Sequence, residues 1–337
     1  ELLISDNAAF KFNSDGTIRW QNNKVAILVQ GDNLYSPKIS VNNSELLLDE
    51  HIKQIELRIN EAVEKNIKDI LSEAINLKKP VIDKKVNLDN NDEKNIITET
   101  DEIFKKDYIV SDNNLSGKAL GIAYEVYEGM GSAKTSNLSM SINKLSENDK
   151  RNLAKLGLRL GVETIYLPNF LKPSSINLRA LLWSVYNHNF PEQGPPPDGR
   201  VSVIIGPDAN HDYYRALGFV PLGNLALRAD IAERLSALIR AEARTGKFKI
   251  NDAMLSISGS TKIQMEDILY DLGYVKSGEE PSTLVDQIPI VIFERPKSKS
   301  KKLNKTVKFI SKNKQNSKTN FKNKKQDKLA DPLSPFA

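Results

Sequence analysis

The 337-residue chain is 39% hydrophobic and 27% charged, a balance that supports buried cores and a length that fits two or three compact units. It has no cysteine, which excludes disulfides, thiolate metal sites and cysteine nucleophiles, and its three histidines, His51, His188 and His211, share no HxxxH or HExxH spacing. The formal charge of +5 is uneven: residues 296–337 hold 13 lysines against 2 aspartates, net +11, which leaves residues 1–295 at net −6. No run of eighteen apolar residues and no leader pattern occurs, so no membrane contact and a cytoplasmic location are expected, and Glu1 in place of methionine hints at a longer parent product.

Residues 1–45 read as a small antiparallel β unit: FKF at 10–12, a turn at Asp15-Gly16, TIRW at 17–20, VAILV at 25–29, a GDN turn from Gly31 and KISV at 38–41, with Trp20 in its core. Residues 46–190 read as a helical domain. Ile52, Ile55, Ile59, Val63, Ile67, Ile70, Leu71 and Ala74 make one apolar stripe on a helix over 49–78. Residues 79–114 are polar and aperiodic, a long loop or insertion. A helix over 115–130 carries Gly117, Ala119, Gly121 and Ala123, small enough to admit another backbone.

The stretch EGMGSAKTS at 128–136 resembles a phosphate loop, but GxxxxGK[ST] needs glycine where Ala133 and Glu128 stand, so Gly129 and Gly131 read as a helix stop. Ser146 to Asp149 is a capping-box-like start for a helix running to Gly161, ETIYL is a short strand, and Ser174 or Ser175 caps INLRALLWSVYNH, whose Leu178, Leu181, Leu182 and Val185 face a core. Residues 191–200 form a proline-rich linker.

Residues 201–295 read as an α+β, winged-helix-like domain. VSVII at 201–205 is a buried strand, HDYYRALGF a short helix ending at Gly218, and VPLGNLALR a second strand. A helix follows with Ile231, Leu235, Leu238 and Ile239 inward, then INDAMLSI with Ile250, Ala253, Met254 and Ile257 inward. TKIQMEDILYDLG opens on a Thr261–Gln264 capping box and stops at Gly273, and YVKS pairs with IPIVIFERP. Helix, helix, turn, helix, hairpin is the order of a winged helix. The fold class expected is mixed α+β, mostly helical. The tail 296–337 is expected to be disordered, because it has too few apolar residues to offset its ordering entropy.

Lysine runs of this kind bind polyanions with little sequence preference, and Phe309 and Phe321 could stack on unpaired bases; the alternative is a solubilising tail. The candidate nucleic-acid contacts are Lys172, Arg179, Lys247, Lys249, Lys262, Gln264 and Lys276 in the folded units and Lys301, Lys302 and Lys305 in the tail. On the helix from Thr261 to Leu272, Glu266, Asp267 and Asp271 would repel phosphates, which argues against groove readout. YYRALGF matches a step common in acetyltransferases but lacks their pyrophosphate loop, and pairs such as Asp112 with Glu125 or Glu163 with Asp149 have no catalytic spacing.

LSGKALGIAYEVYE, RLGVETIYLPNFLKP, PPPDGRVSV, YYRALGFVPLG and the terminal DPLSPFA together resemble the region C-terminal to the motor in alphaproteobacterial superfamily 2 helicases similar to the mitochondrial degradosome RNA helicase. DGTIRW, VAILVQGD and KISV fit the same family's post-motor β segment, whereas 79–114 has no counterpart. The resemblance implies an accessory region binding single-stranded nucleic acid, RNA ahead of DNA, beside a motor core in the same parent chain. ATP and Mg would belong to that motor: this chain has no DExH or DEAD box and no arginine finger, so no catalytic residue carries over and no cofactor is expected here. The runner-up is a scaffold whose helical unit docks a ribonuclease or another protein, and an acyltransferase comes third.

Overall fold

The computed structural model describes residues 1–41, 48–89, 115–281 and 290–296. Four strands, β1 (Phe10–Phe12), β2 (Thr17–Trp20), β3 (Asn23–Asn33) and β4 (Ser36–Val41), pair antiparallel in the order β1-β2-β3-β4. At the first turn the Asp15 carboxylate accepts from the Thr17 N–H and hydroxyl at 3.0 and 2.6 Å, and Gly16 supplies φ +84°. The expected GDN turn is instead part of β3. Register slips between Val29 and Asn33, and a Cβ on Gly31 would come within 1.7 Å of the Ser36 carbonyl, so the close pass of two backbones requires glycine there. Phe10, Ile18, Ala26, Leu28 and Ile39 form the buried face, while Trp20, expected inside, is only half-buried and donates its indole N–H to Ser5.

Helix α1 (Asp49–Asp89) buries Ile59, Val63, Ile67, Leu71, Ala74 and Leu77 along one stripe and breaks its helical geometry at Leu71 (φ −113°, ψ 18°). It runs eleven residues into the expected 79–114 loop; the remainder of that segment, 90–114, lies outside the described residues. Helix α2 (Gly117–Glu128) packs on α1 and buries Ala119, Leu120, Ile122, Ala123, Val126 and Tyr127. Of the four small residues expected to admit another backbone, Ala119 and Ala123 are buried, whereas Gly117 and Gly121 face open space.

In EGMGSAKTS the helix does stop at Gly129. Gly131 has φ +97°, and a Cβ there would sit 2.3 Å from the Phe170 ring. The next residues form strand β5 (Ser132–Lys134) and helix α3 (Thr135–Ile142), two elements that sequence periodicity does not separate. Helix α4 (Glu147–Lys155) has the full reciprocal capping box of Ser146 and Asp149 but ends at Leu156, before Gly157 (φ +88°), rather than at Gly161. Strands β6 (Arg159–Leu160) and β7 (Thr164–Tyr166) complete a β5-β7-β6 sheet. Helix α5 (Pro173–Tyr186) is capped at Lys172 with Pro173 in its first turn; Ser175 is buried and does not cap.

Strand β8 (Ser202–Ile204), helix α6 (His211–Ala216) and strands β9 (Phe219–Leu222) and β10 (Leu225–Arg228) follow. VPLGNLALR is thus a hairpin of two strands turning at Gly223 (φ +58°). VSVII is an edge strand rather than a buried one: the order is β8-β10-β9 and Ile204 is 69% exposed. Alternation along the hairpin sends Phe219 and Ala226 into the first apolar cluster and Leu222, Leu225 and Leu227 into a second. Trp183 of α5 packs edge-on against Tyr213 of α6 at 5.1 Å, so the first core continues across the proline-rich stretch 191–200 and divides only at this sheet.

The second cluster is closed by helix α7 (Ala229–Glu242), β11 (Phe248–Lys249), α8 (Asp252–Ser258), α9 (Lys262–Asp271), β12 (Val275–Glu280) and β13 (Ile290–Glu294), the strands ordered β11-β13-β12. Thr261 and Gln264 form both bonds of the expected capping box. Met254 is buried, but Ala253, expected inward, is exposed.

Candidate nucleic-acid interface

The folded-body candidates divide by what surrounds each cation. Arg179 is fully buried at 0% exposure and touches no solvent. Its guanidinium donates to the carbonyls of Ser175 (3.2 Å), Met130 (3.0 Å), Ala216 (2.7 Å), Leu217 (3.1 Å) and Phe170, and it stacks over the Phe170 ring. Burial lowers its pKa to about 9, so at neutral pH it keeps its proton and all five donors. It joins α5, the turn after α2, the Phe170 segment and the end of α6; as a nucleic-acid contact it is withdrawn.

Lys249 and Lys276 are exposed but engaged. Lys249 bonds Glu280, and Lys276 bonds Glu279, the bond that does most to raise its pKa. Each is an ion pair within the β11-β13-β12 unit, so a phosphate would have to displace a carboxylate already seated. Lys172, Lys247 and Lys262 are exposed, with no ion pair among the described residues. Gln264 is half-buried and spends its side-chain oxygen on the Thr261 N–H at 2.9 Å. Lys301, Lys302 and Lys305 lie outside the described residues.

The acidic residues of α9 have a use that spacing alone does not disclose. Asp271 accepts from the Gly223 N–H at 2.6 Å and so holds the β9–β10 turn, and a Cβ on Gly223 would lie 2.7 Å from that of Asp267, so the turn can pass this close to α9 only with glycine there. What α9 presents outward is Lys262, Ile263 at 68% exposure and Tyr270 at 45%, with Glu266 half-buried beside them. That mixture is apolar and close to neutral, unlike the cationic surface that a phosphate backbone selects.

The bend Gly161–Thr164, inside RLGVETIYL, is held from across the sequence. Glu233 of α7 accepts from the N–H groups of Val162, Glu163 and Thr164 at 2.8, 2.8 and 2.9 Å, and a Cβ on Gly161 would come within 2.3 Å of its carboxylate. The Glu163 carboxyl is pushed up chiefly by burial, with Glu233 adding to the rise and Ser236 and Arg240 opposing it. Among the described residues no three His, Asp or Glu converge in the way a metal ion needs. Comparison with family models, curated proteins and solved structures finds no match to the chain.

Proposed function

We propose that the chain is the accessory region of an ATP-driven helicase, holding single-stranded nucleic acid, RNA ahead of DNA, beside a motor core located elsewhere in the parent chain. The observation that carries this reading is the segregation of charge, net +11 in residues 296–337 against net −6 in residues 1–295. Lysines on a low-complexity segment bind phosphates by releasing counterions, which needs no folded site and tolerates any sequence. The likeness of RLGVETIYLPNFLKP and its companion segments to post-motor helicase regions supports the same reading. We read the α7 to β13 unit as a winged helix, because helix, strand, helix, helix and hairpin occur in that order with the short strand beside the hairpin.

ATP and Mg would be held by the motor. The Lys134-Thr135 segment does not fit a nucleotide: Lys134 ends a strand, and the Thr135 N–H, which a phosphate loop would aim at the anion, donates to the Glu163 carbonyl at 3.1 Å. No step is therefore routed through nucleotide on this chain.

The test is fluorescence anisotropy of a labelled single strand, as RNA and as DNA, between about 50 and about 200 mM salt, a range that separates phosphate contacts from other binding. Replacing Lys301, Lys302 and Lys305 by glutamine is expected to lower the slope of log affinity against log salt by about 2, at roughly 0.7 for each phosphate no longer neutralised. An unchanged slope would remove the tail from the binding surface. A second reading, a protein-docking scaffold, is favoured by the outward face of α9, where Ile263 and Tyr270 are exposed. If a partner such as a ribonuclease stays bound after nuclease treatment and is released by Ile263→Asp, that reading replaces the first.

A further inference from the structure

The folded body is not uniformly acidic. Residues 115–172 hold eight Lys and Arg against five Asp and Glu, net +3, so the rest of the body is net −9. Two of those five carboxylates are turned to structural use. Asp149 is buried: one oxygen accepts from the Ser116 N–H at 3.0 Å, the other from the Ser146 N–H and hydroxyl at 3.2 and 2.8 Å, and these bonds hold its pKa below the usual carboxylate range. Glu163 faces Arg240 of α7 at 3.4 Å. Glu147 is paired with Lys150 at 2.7 Å. Glu125 and Glu128 sit seven and ten residues along α2 from Lys118, about 10 and 15 Å at 1.5 Å per residue. Glu73 of α1, whose carboxylate lies beside Gly157, is committed to Asn169.

What remains outward and unpaired among the described residues around α4 is cationic. The Asp149 bonds tie Ser116, at the start of α2, to Ser146, at the start of α4; Lys118 follows the first by two residues and Lys144 precedes the second by two. Helix α4 buries Asp149, Asn152 and Leu153, so Arg151 and Lys155, one turn apart, stand on its solvent face. Arg159 opens β6, which packs against α4. Lys118, Lys144, Arg151, Lys155 and Arg159 are all exposed, and none has an ion pair among the described residues.

We infer that this face of α4, with Lys118 and Arg159 at its margins, is a second phosphate-backbone surface that lays a single strand of nucleic acid against the folded body. It rests on the nucleic-acid reading above and deepens it, because exposed cations fixed on a helix and at its margins restrict where the strand runs, whereas a lysine tail only keeps it near. The five cations include no residue of the α7 to β13 unit. The path of the strand is thus predicted to avoid α9.

The full-length chain carries the test, in the same anisotropy titrations with a single-stranded RNA and the matching DNA. The variant K118E/R151E/K155E is compared with K11E/K53E/K65E, which makes the same change in net charge at exposed lysines of β1 and α1. K118Q/R151Q/K155Q is included so that the result does not depend on a tolerated charge reversal, and circular dichroism with thermal melts checks that each variant folds. The expected result is a loss of about tenfold or more at low salt and a slope reduced by about 2 for the α4 variants, with little change for the control. Equal losses in α4 and control variants would mean that only net charge matters and would overturn the surface while leaving the tail reading intact. If the unmodified chain binds neither strand, both readings fall together.

Discussion

Removing the Arg179 side chain leaves five carbonyls and the space of a guanidinium inside the first core, and that is why its effect should be on folding rather than on binding. Unsatisfied buried groups cost roughly 1–3 kcal/mol each and are only partly additive, so Arg179→Ala is expected to destabilise the body by on the order of 4 kcal/mol. Arg179→Lys keeps the charge but has three donors where five are used, and should fall between the two. Urea midpoints measure both. A midpoint for the alanine variant equal to that of the parent would mean the carbonyls find water and the hub supports nothing. Sequence reading places Arg179 at the surface because arginine is rarely buried without a carboxylate. Nothing in INLRALLW marks it, since four of its five acceptors come from segments 9 to 49 residues away.

At the scale of elements, local chemistry is legible wherever it is local in space. The capping boxes at Ser146 and Thr261, the stops at Gly129 and Gly273 and the strands around Asp15-Gly16 all rest on bonds spanning a few residues, and they occur as expected. Elements too short to show a period, such as β5 and α3, leave no such mark. The bend before ETIYL is the opposite case, because it is held by Glu233, about 70 residues downstream. Glu233→Ala is expected to cost roughly 1–3 kcal/mol, the range for leaving partly buried N–H groups without an acceptor, and to speed hydrogen exchange at Glu163 and Thr164. Exchange at those amides no faster than in the parent would show that the carboxylate is dispensable to the bend.

For the whole body, the β8-β10-β9 sheet is a wall shared by two cores, with alternate residues of one hairpin serving each. A disturbance on one side should therefore be felt on the other. Leu235→Ala, in the second cluster, is expected to cost about 2.7–5 kcal/mol and to shift a single calorimetric transition of the body as a whole. A melt that splits in two, with one half unmoved, would mean that the wall does not couple the cores.

The sequence by itself determined the charge asymmetry, the β character of the first forty residues, the long apolar stripe of α1, the two capping boxes and the order of helices and hairpin from α7 to β13, because these depend on composition, period and near neighbours; the short strand β11 and the cap of α5 were not among them. Only the tertiary structure decided that the core divides at a hairpin rather than at the proline-rich stretch, that Arg179 and Asp271 are structural, and that Lys249 and Lys276 are already paired. The cations Arg151 and Lys155 share a helix face by their spacing alone, but that this face is the outward one is decided by the burial of Asp149, Asn152 and Leu153. In each case the deciding partner is far away in sequence, and burial or pairing belongs to the fold as a whole rather than to any segment of it.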